Sequence, residues 1–163
     1  MGNACRLEPN VLIKIILGVL GKGSVWLEMA VVHGCLIVGD SIAKGVSDLR
    51  SDCTAYVKVG ISSSGWNRKF SPVPLFAKTV VISLGSNDFN KFQTRDELNY
   101  LRHSIDADRV LWILPAHNSK EDIREVVMEI ADNFGDDVMD IPNVSADGVH
   151  PTGAGYKKIA KSF

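Results

Sequence analysis

Ile37-Val38-Gly39-Asp40-Ser41-Ile42 ends a short apolar run in a Gly-Asp-Ser turn, and the reading of that turn decides the fold. Residues 35–39 are apolar, too few for a helix, and stopped by turn formers, which suits a short buried strand. A serine placed directly after such a strand stands where doubly wound α/β sheets meet their ligands, at the carboxyl ends of the strands.

Outward from this turn, short apolar runs alternate with helical patterns. Strands are expected over residues 54–59, 79–84, 109–114 and 137–141, and helices over 43–50, 94–105, 153–163 and the stretch after Ser119. Residues 79–84 are the clearest strand, with Val80, Val81 and Ile82 in succession. Thr94 with Glu97 three residues on reads as a helix start, and so does Ser119 with Asp122. Ile123, Val126, Val127 and Ile130 fall on one helical face. Tyr156, Ile159 and Ala160 are expected to face inward from the last helix. Pro72 and Pro74 mark a connection. The order implies an α/β fold, a parallel sheet of about five strands with helices on both faces. Ser41, the small polar loop Gly60-Ile61-Ser62-Ser63-Ser64-Gly65-Trp66, and Asn87 in Gly85-Ser86-Asn87-Asp88 all follow expected strands.

A serine hydroxyl is a weak nucleophile at neutral pH and needs a base within hydrogen-bond reach, itself oriented by a carboxylate. Asp147-Gly148-Val149-His150 supplies both, because a three-residue separation lets one turn present Asp147 and His150 to the same pocket. A tetrahedral intermediate also needs donors aimed at its oxyanion. The backbone N–H groups of Ser41 and Gly60 and the side-chain amide of Asn87 are the candidates, with Ser63 or Gly65 as alternatives to Gly60. Asp40 and Asp88 read as loop-bracing residues. His33, His103 and His117 lack a comparable setting; for His117, after Pro115, a structural or solvated role is preferred to one at the pocket rim. Trp66 reads equally as pocket wall or core. No His, Cys or Asp cluster has metal-ligand spacing, so no metal is expected.

Gly-Asp-Ser-Ile with Ser41, the Gly60 loop, Gly-Ser-Asn-Asp with Asn87, and Asp-Gly-Val-His-Pro with His150 occur in an order that resembles the SGNH (GDSL-type) hydrolases. Thr152-Gly153-Ala154-Gly155-Tyr156 is similar to that family's opening of the last helix. The resemblance covers about residues 31–163. It implies a flavodoxin-like three-layer α/β/α sandwich. It also implies cofactor-free cleavage of carboxylic esters, thioesters, or acyl groups on lipids and carbohydrates, with transfer to another acceptor in some members.

Residues 1–34 do not belong to that pattern and read as an apolar N-terminal extension preceding a hydrolase-like domain at 35–163. Val11-Leu12-Ile13-Lys14-Ile15-Ile16-Leu17-Gly18-Val19-Leu20 is read first as a packing helix, then as a partner-binding or membrane-surface segment, and last as signal-like. Lys14 interrupts it, and its length falls short of the ~20 residues a membrane helix requires. Glu8 beside Arg6 and the lack of a small-residue cleavage site argue against a signal peptide. Arg6 also stands where a myristoylated Met1-Gly2 terminus needs Ser or Thr. Gly18 to Ser24 lacks phosphate-loop spacing. With 18 basic and 19 acidic residues the chain carries a net charge of −1, which gives no reason to expect a nucleic-acid partner. Cys5, Cys35 and Cys53 form neither a metal pair nor an even disulfide set, and Cys35 reads as a small buried hydrophobe in a reducing compartment.

Two functions follow from this reading. One is a serine esterase or deacylase acting on a small-molecule, glycan or lipid ester, such as O-acetyl groups of a cell-surface polysaccharide, in a soluble cytoplasmic or assembly-associated chain. The other is a component of a larger assembly, for example a virion or envelope complex, that keeps the hydrolase fold as scaffold. A phosphate-binding flavodoxin-like domain is disfavoured by Asp40 at the first strand's end.

Overall fold

The computed structural model describes residues 11–20, 24–70, 73, 75–117 and 120–163. The expectations at Met1-Gly2, Cys5, Arg6, Glu8, Gly21 to Gly23, Pro72, Pro74 and Ser119 lie outside the described residues.

The chain begins with two strands, β1 (Val11–Leu20) and β2 (Ser24–Gly39), paired antiparallel from Val11 against His33 to Leu20 against Ser24. This corrects the helix expected over 11–20. Its β-branched residues favour a pleated backbone, and the equally apolar run after Ser24 gives it a strand to pair with. β2 also continues through the expected boundary at 34/35 without a break, so the extension and the hydrolase-like region share one strand.

The rest alternates: α1 (Ser41–Ser47), β3 (Thr54–Val57), α2 (Ser63–Phe70), β4 (Leu75–Ser83), α3 (Lys91–His103), β5 (Ile105–Ile113), α4 (Glu121–Phe134), β6 (Asp137–Met139) and α5 (Gly153–Ala160). Strands β3, β2, β4, β5 and β6 lie side by side in that order and pair in parallel. Counted among themselves, they follow the flavodoxin-like order 2-1-3-4-5, whose chain reverses direction across the sheet beside its first strand. The turns after β2, β3 and β4 therefore meet at one edge of the sheet.

Alternation along the strands builds two apolar layers. Leu36, Val38, Val80, Ile82 and Trp112 face α2, α3 and α4, where Trp66, Leu98, Leu101, Val126, Val127 and Ile130 pack. Ile37, Val81, Leu111 and Ile113 face α1 and α5, where Ile42, Ala43, Val46, Ile159 and Ala160 pack. The result is the expected three-layer α/β/α sandwich. No helix among the described residues is long and apolar enough to cross a membrane.

Three local expectations change. Helix α2 replaces most of the loop expected over 60–66. Its Ser-Ser-Gly-Trp start has no apolar period, and it is held by tertiary contacts instead. Trp66 is buried against Phe70 and donates Nε1–H to the Tyr56 carbonyl at 2.8 Å, while Asn67 donates to the Glu97 carbonyl at 2.9 Å. Helix α3 starts earlier than expected, because Asn90 and not Thr94 is its cap, accepting from the N–H groups of Phe92 and Gln93 at 3.0 and 3.2 Å. Cys35 is not a free thiol but is disulfide-bonded to Cys53. Parallel pairing of Leu36 with Thr54 puts the preceding residues, 35 and 53, side by side, a proximity that spacing along the chain does not reveal.

Candidate active site

Four segments at the carboxyl ends of the strands carry the candidate site, those after β2, β3, β4 and β6. At the end of β2, Gly39 has φ +142°, and a Cβ there would collide with the Ser83 carbonyl of β4. The close approach lets the Asp40 N–H donate to that carbonyl at 3.0 Å, fixing the turn to the neighbouring strand. Asp40 caps α1, its Oδ1 accepting from the Ile42 N–H at 2.9 Å and from Ser83 Oγ at 3.1 Å. Ser41 is the first residue of α1, whose opening N–H groups have no acceptor within the helix.

Asp147 and His150 lie on the segment between β6 and α5. It folds back on itself through an isolated bridge between Val144 and Pro151. Ser145 N–H donates to the His150 carbonyl at 2.7 Å and Thr152 N–H to the Asn143 carbonyl at 2.8 Å. Thr152 then caps α5 by accepting from the Gly155 N–H. This closed loop delivers His150 Nε2 to 2.9 Å from Ser41 Oγ and sets His150 Nδ1 2.7 Å from Asp147 Oδ2.

Asp147 is itself tightly held. Its Oδ1 accepts from Ser145 Oγ at 2.7 Å and from the N–H groups of Val149 and His150, both at 2.9 Å. Those donors, the His150 and Val149 N–H groups first and then the Ser145 hydroxyl and the imidazole, favour the charged carboxylate and hold its pKa well below the ordinary range. Asp40 shifts the other way. It is fully buried, and desolvation pushes its carboxyl up to about 6, outweighing the hydrogen bonds from Ile42 and Ser83. The two carboxylates are thereby separated: Asp147 is the charged partner of the imidazole, and Asp40 braces the turn.

Asn87 follows β4. Its Nδ2 donates to the Ile61 carbonyl at 3.1 Å and lies 3.4 Å from Asp40 Oδ2. Gly60 has φ +72° and lies with Asn87 on the wall of a cleft of about 300 Å³, whose other walls include Ser62, Ser64, Phe89 and Gln93. Ser63 also lines it; Gly65, the other alternative, does not. Asp88 braces the cleft, as expected, by accepting from the Ser63 N–H at 2.9 Å, and its burial raises its pKa. Phe89 stands almost free of the surface at 89% exposed, with Lys120 Nζ 3.8 Å from its ring centroid.

The structure thus joins Ser41, His150 and Asp147 through side-chain contacts and joins Asn87 to the Ser41 turn through Asp40. It places His117 elsewhere, exposed with its ring toward Glu121 and Asp140 rather than on the cleft. Trp66 belongs to the core. Among the described residues, one grouping has metal-ligand proximity, Cys35, Asp52 and Cys53, and its two sulfurs are bonded to each other. Sequence reasoning did not single out Ser83 or Ser145, which anchor the two aspartates. Ser145 lies two residues before Asp147, close enough along the chain to be considered as its partner. Ser83 carries no such local signal, because its partner is set only by strand pairing. The arrangement can pass a proton from a serine hydroxyl to an imidazole backed by a carboxylate.

No family model and no curated relative matches the sequence. Solved structures do match its fold. A GDSL-like lipase from Bacteroides thetaiotaomicron VPI-5482 aligns with a TM-score of 0.61 at 19% identity, covering 77% of this chain and 83% of that one. A structure from Bacteroides fragilis NCTC 9343 gives the same TM-score at 18% identity over 77% of this chain and 82% of its own. The catalytic domain of the Streptococcus pneumoniae peptidoglycan O-acetyltransferase A, carrying a methylsulfonyl adduct, aligns at 0.53 with 17% identity, over 78% of this chain and 88% of that one.

Proposed function

We propose that this chain, which has the fold of the SGNH (GDSL-type) hydrolases, is a serine esterase that cleaves carboxylic esters through Ser41, His150 and Asp147. The observation that carries the reading is the unbroken run of contacts from Ser41 Oγ to His150 Nε2 at 2.9 Å and from His150 Nδ1 to Asp147 Oδ2 at 2.7 Å.

Ser41 Oγ attacks the ester carbonyl carbon as its proton passes to His150 Nε2, and the carbonyl π electrons move onto oxygen. Asp147 holds the imidazole with Nδ1 protonated and stabilises the imidazolium that forms. The oxyanion accepts from the N–H groups of Ser41 and Gly60 and from Asn87 Nδ2. Collapse breaks the bond to the alcohol, which leaves with the proton from His150. Water, deprotonated by the same imidazole, then attacks the acyl-enzyme and releases the acid.

Side-chain exposures of 39% for His150 and 50% for Asp147 describe a site open to solvent. Such a site suits an ester presented on a larger body, and O-acetyl groups of a surface polysaccharide are the substrate we favour. The neighbour named as a peptidoglycan O-acetyltransferase lends this weight, and it raises acyl transfer to a sugar hydroxyl as the variant of the same chemistry. Assay of purified protein against short-chain aryl esters and acetylated polysaccharides tests the reading. Release of acid by the wild type and not by His150→Ala supports it, and inert but folded wild type sinks it.

A second reading rests on the β1–β2 pairing. β2 meets β4 only from His33 onward, whereas β1 pairs with it over residues 24–33. A two-stranded ribbon is marginal by itself, so this pair suits attachment to a partner protein or membrane surface and a role as an assembly component. Light scattering that finds a monomer indifferent to lipid vesicles counts against it.

A further inference from the structure

The Asn87 amide has two hydrogens on Nδ2, and two protein acceptors face them: the Ile61 carbonyl at 3.1 Å and Asp40 Oδ2 at 3.4 Å. The first is an ordinary hydrogen bond. The second lies beyond the usual range for N–H···O and is the weaker hold. Asp40 cannot follow Asn87 by rotating, because its other oxygen is fixed from two sides, by the Ile42 N–H at the start of α1 and by Ser83 Oγ at the end of β4. Its carboxylate is fully buried. Oδ2 is therefore a rigid acceptor aimed at the amide from the residue next to the nucleophile.

An amide with one hydrogen firmly held and the other on a long contact is ready to redirect the second. The Ile61 carbonyl keeps the amide plane in place while the hydrogen facing Asp40 stays weakly engaged. A developing oxyanion at Ser41 is the stronger acceptor for it.

We propose that Asp40 is a positioning residue for catalysis: its Oδ2, with the Ile61 carbonyl, sets the Asn87 amide and yields one Nδ2–H to the oxyanion when the tetrahedral intermediate forms. This rests on the esterase reading above, and it adds a role for the aspartate of the Gly-Asp-Ser turn beyond capping α1.

The ionisable groups acting on Asp40 come from two elements. His150 approaches from the segment before α5, and Tyr156 lies on α5, its phenol raised first by burial and then by the charges of Asp40 and Asp147. β4 and its following turn present neutral Ser83 and Asn87, and the β3–α2 connection presents the Ile61 backbone.

The test combines Asp40→Asn, Asn87→Ala and the double variant. Asparagine is as good a helix cap as aspartate and keeps an oxygen for Ile42 and Ser83, but turns an amide toward Asn87. Removing an oxyanion donor outright costs about 10²–10³ in kcat, and mispositioning one costs less. Asp40→Asn is expected to lower kcat about 10-fold with KM within twofold, and to change kcat less than threefold when Asn87 is already alanine. Ser83→Ala, which leaves the cap intact and frees Asp40 to turn, lowers kcat about threefold. Equal losses in both backgrounds mean a purely structural Asp40 and overturn the proposal, as does unchanged kcat in Asp40→Asn.

A second arm needs no turnover. The side-chain amide resonances of Asn87, followed by NMR in wild type, are expected to titrate with a midpoint near 6, where burial places Asp40, and to lose that titration in Asp40→Asn. Amide resonances that ignore both pH and the substitution overturn the proposal by themselves. Wild type that hydrolyses nothing while its Asn87 amide still reports on Asp40 overturns the esterase reading alone.

Discussion

Asp40 makes stability depend on pH in a direction opposite to that of most carboxylates. Its pKa is about 6 in the folded chain against 3.8 for an unperturbed aspartate, because burial disfavours the anion more than Ile42 and Ser83 favour it. A raised folded pKa means that the native state binds more protons than the unfolded one between the two values. Stability from this group is complete below about pH 3.8 and is lost as pH rises through 6. The shift of about 2 units at about 1.4 kcal/mol each amounts to about 3 kcal/mol. Asp40→Asn removes the titration. The stability difference between variant and wild type, measured by urea unfolding at pH 4 and pH 7.5, should therefore move by about 2.5 kcal/mol in favour of the variant at the higher pH. In melting temperature that is about 5–10 °C for a chain of this size. Asp147, whose pKa is depressed, contributes to both proteins alike and cancels. A difference that stays constant across this range refutes the assignment of Asp40 as a buried, ionising carboxyl.

Asp147→Asn keeps an oxygen for the Ser145, Val149 and His150 donors but turns an N–H toward His150 Nδ1, forcing the tautomer that cannot take the Ser41 proton. A fall in kcat of about 10³–10⁴, as in other triads, in a variant that still unfolds cooperatively, with some stability lost along with the charged acceptor, is the expected result from steady-state kinetics and calorimetry. The Cys35–Cys53 bond closes a loop of 18 residues, so Cys53→Ser should cost about 3 kcal/mol in a denaturant melt. Thiol titration of the denatured wild type before and after reduction should differ by the two cysteines of this bond. Trp66→Ala removes a buried ring and its bond to the Tyr56 carbonyl, and should lower stability by about 3–5 kcal/mol in the same melts.

Much of the fold is written in local pattern. Val80, Val81 and Ile82, bounded by Gly85, can be read as a buried strand without knowing the neighbours, and the alternation of such runs with helical faces implies the parallel sheet. Ser41, Asn87, Asp147 and His150 are legible because each sits in a short motif with fixed local geometry. What was hidden depends on contacts between distant segments. Val11 to Leu20 fits helix or strand until β2 is there to pair with it. Helix α2 starts on serines and glycine and is held by Trp66 in the core and by Asn67 on Glu97. The Cys35–Cys53 bond follows from the β2–β3 register, and the Ser83 contact to Asp40 from the β2–β4 register.

The central claim is that His150, backed by Asp147, activates Ser41. Labelling with a fluorophosphonate probe, followed by peptide mass spectrometry, tests this without knowledge of the natural ester. The account predicts an adduct on Ser41 in the wild type and none in His150→Ala. Folded wild type that takes no label, or that takes it on another serine, contradicts it.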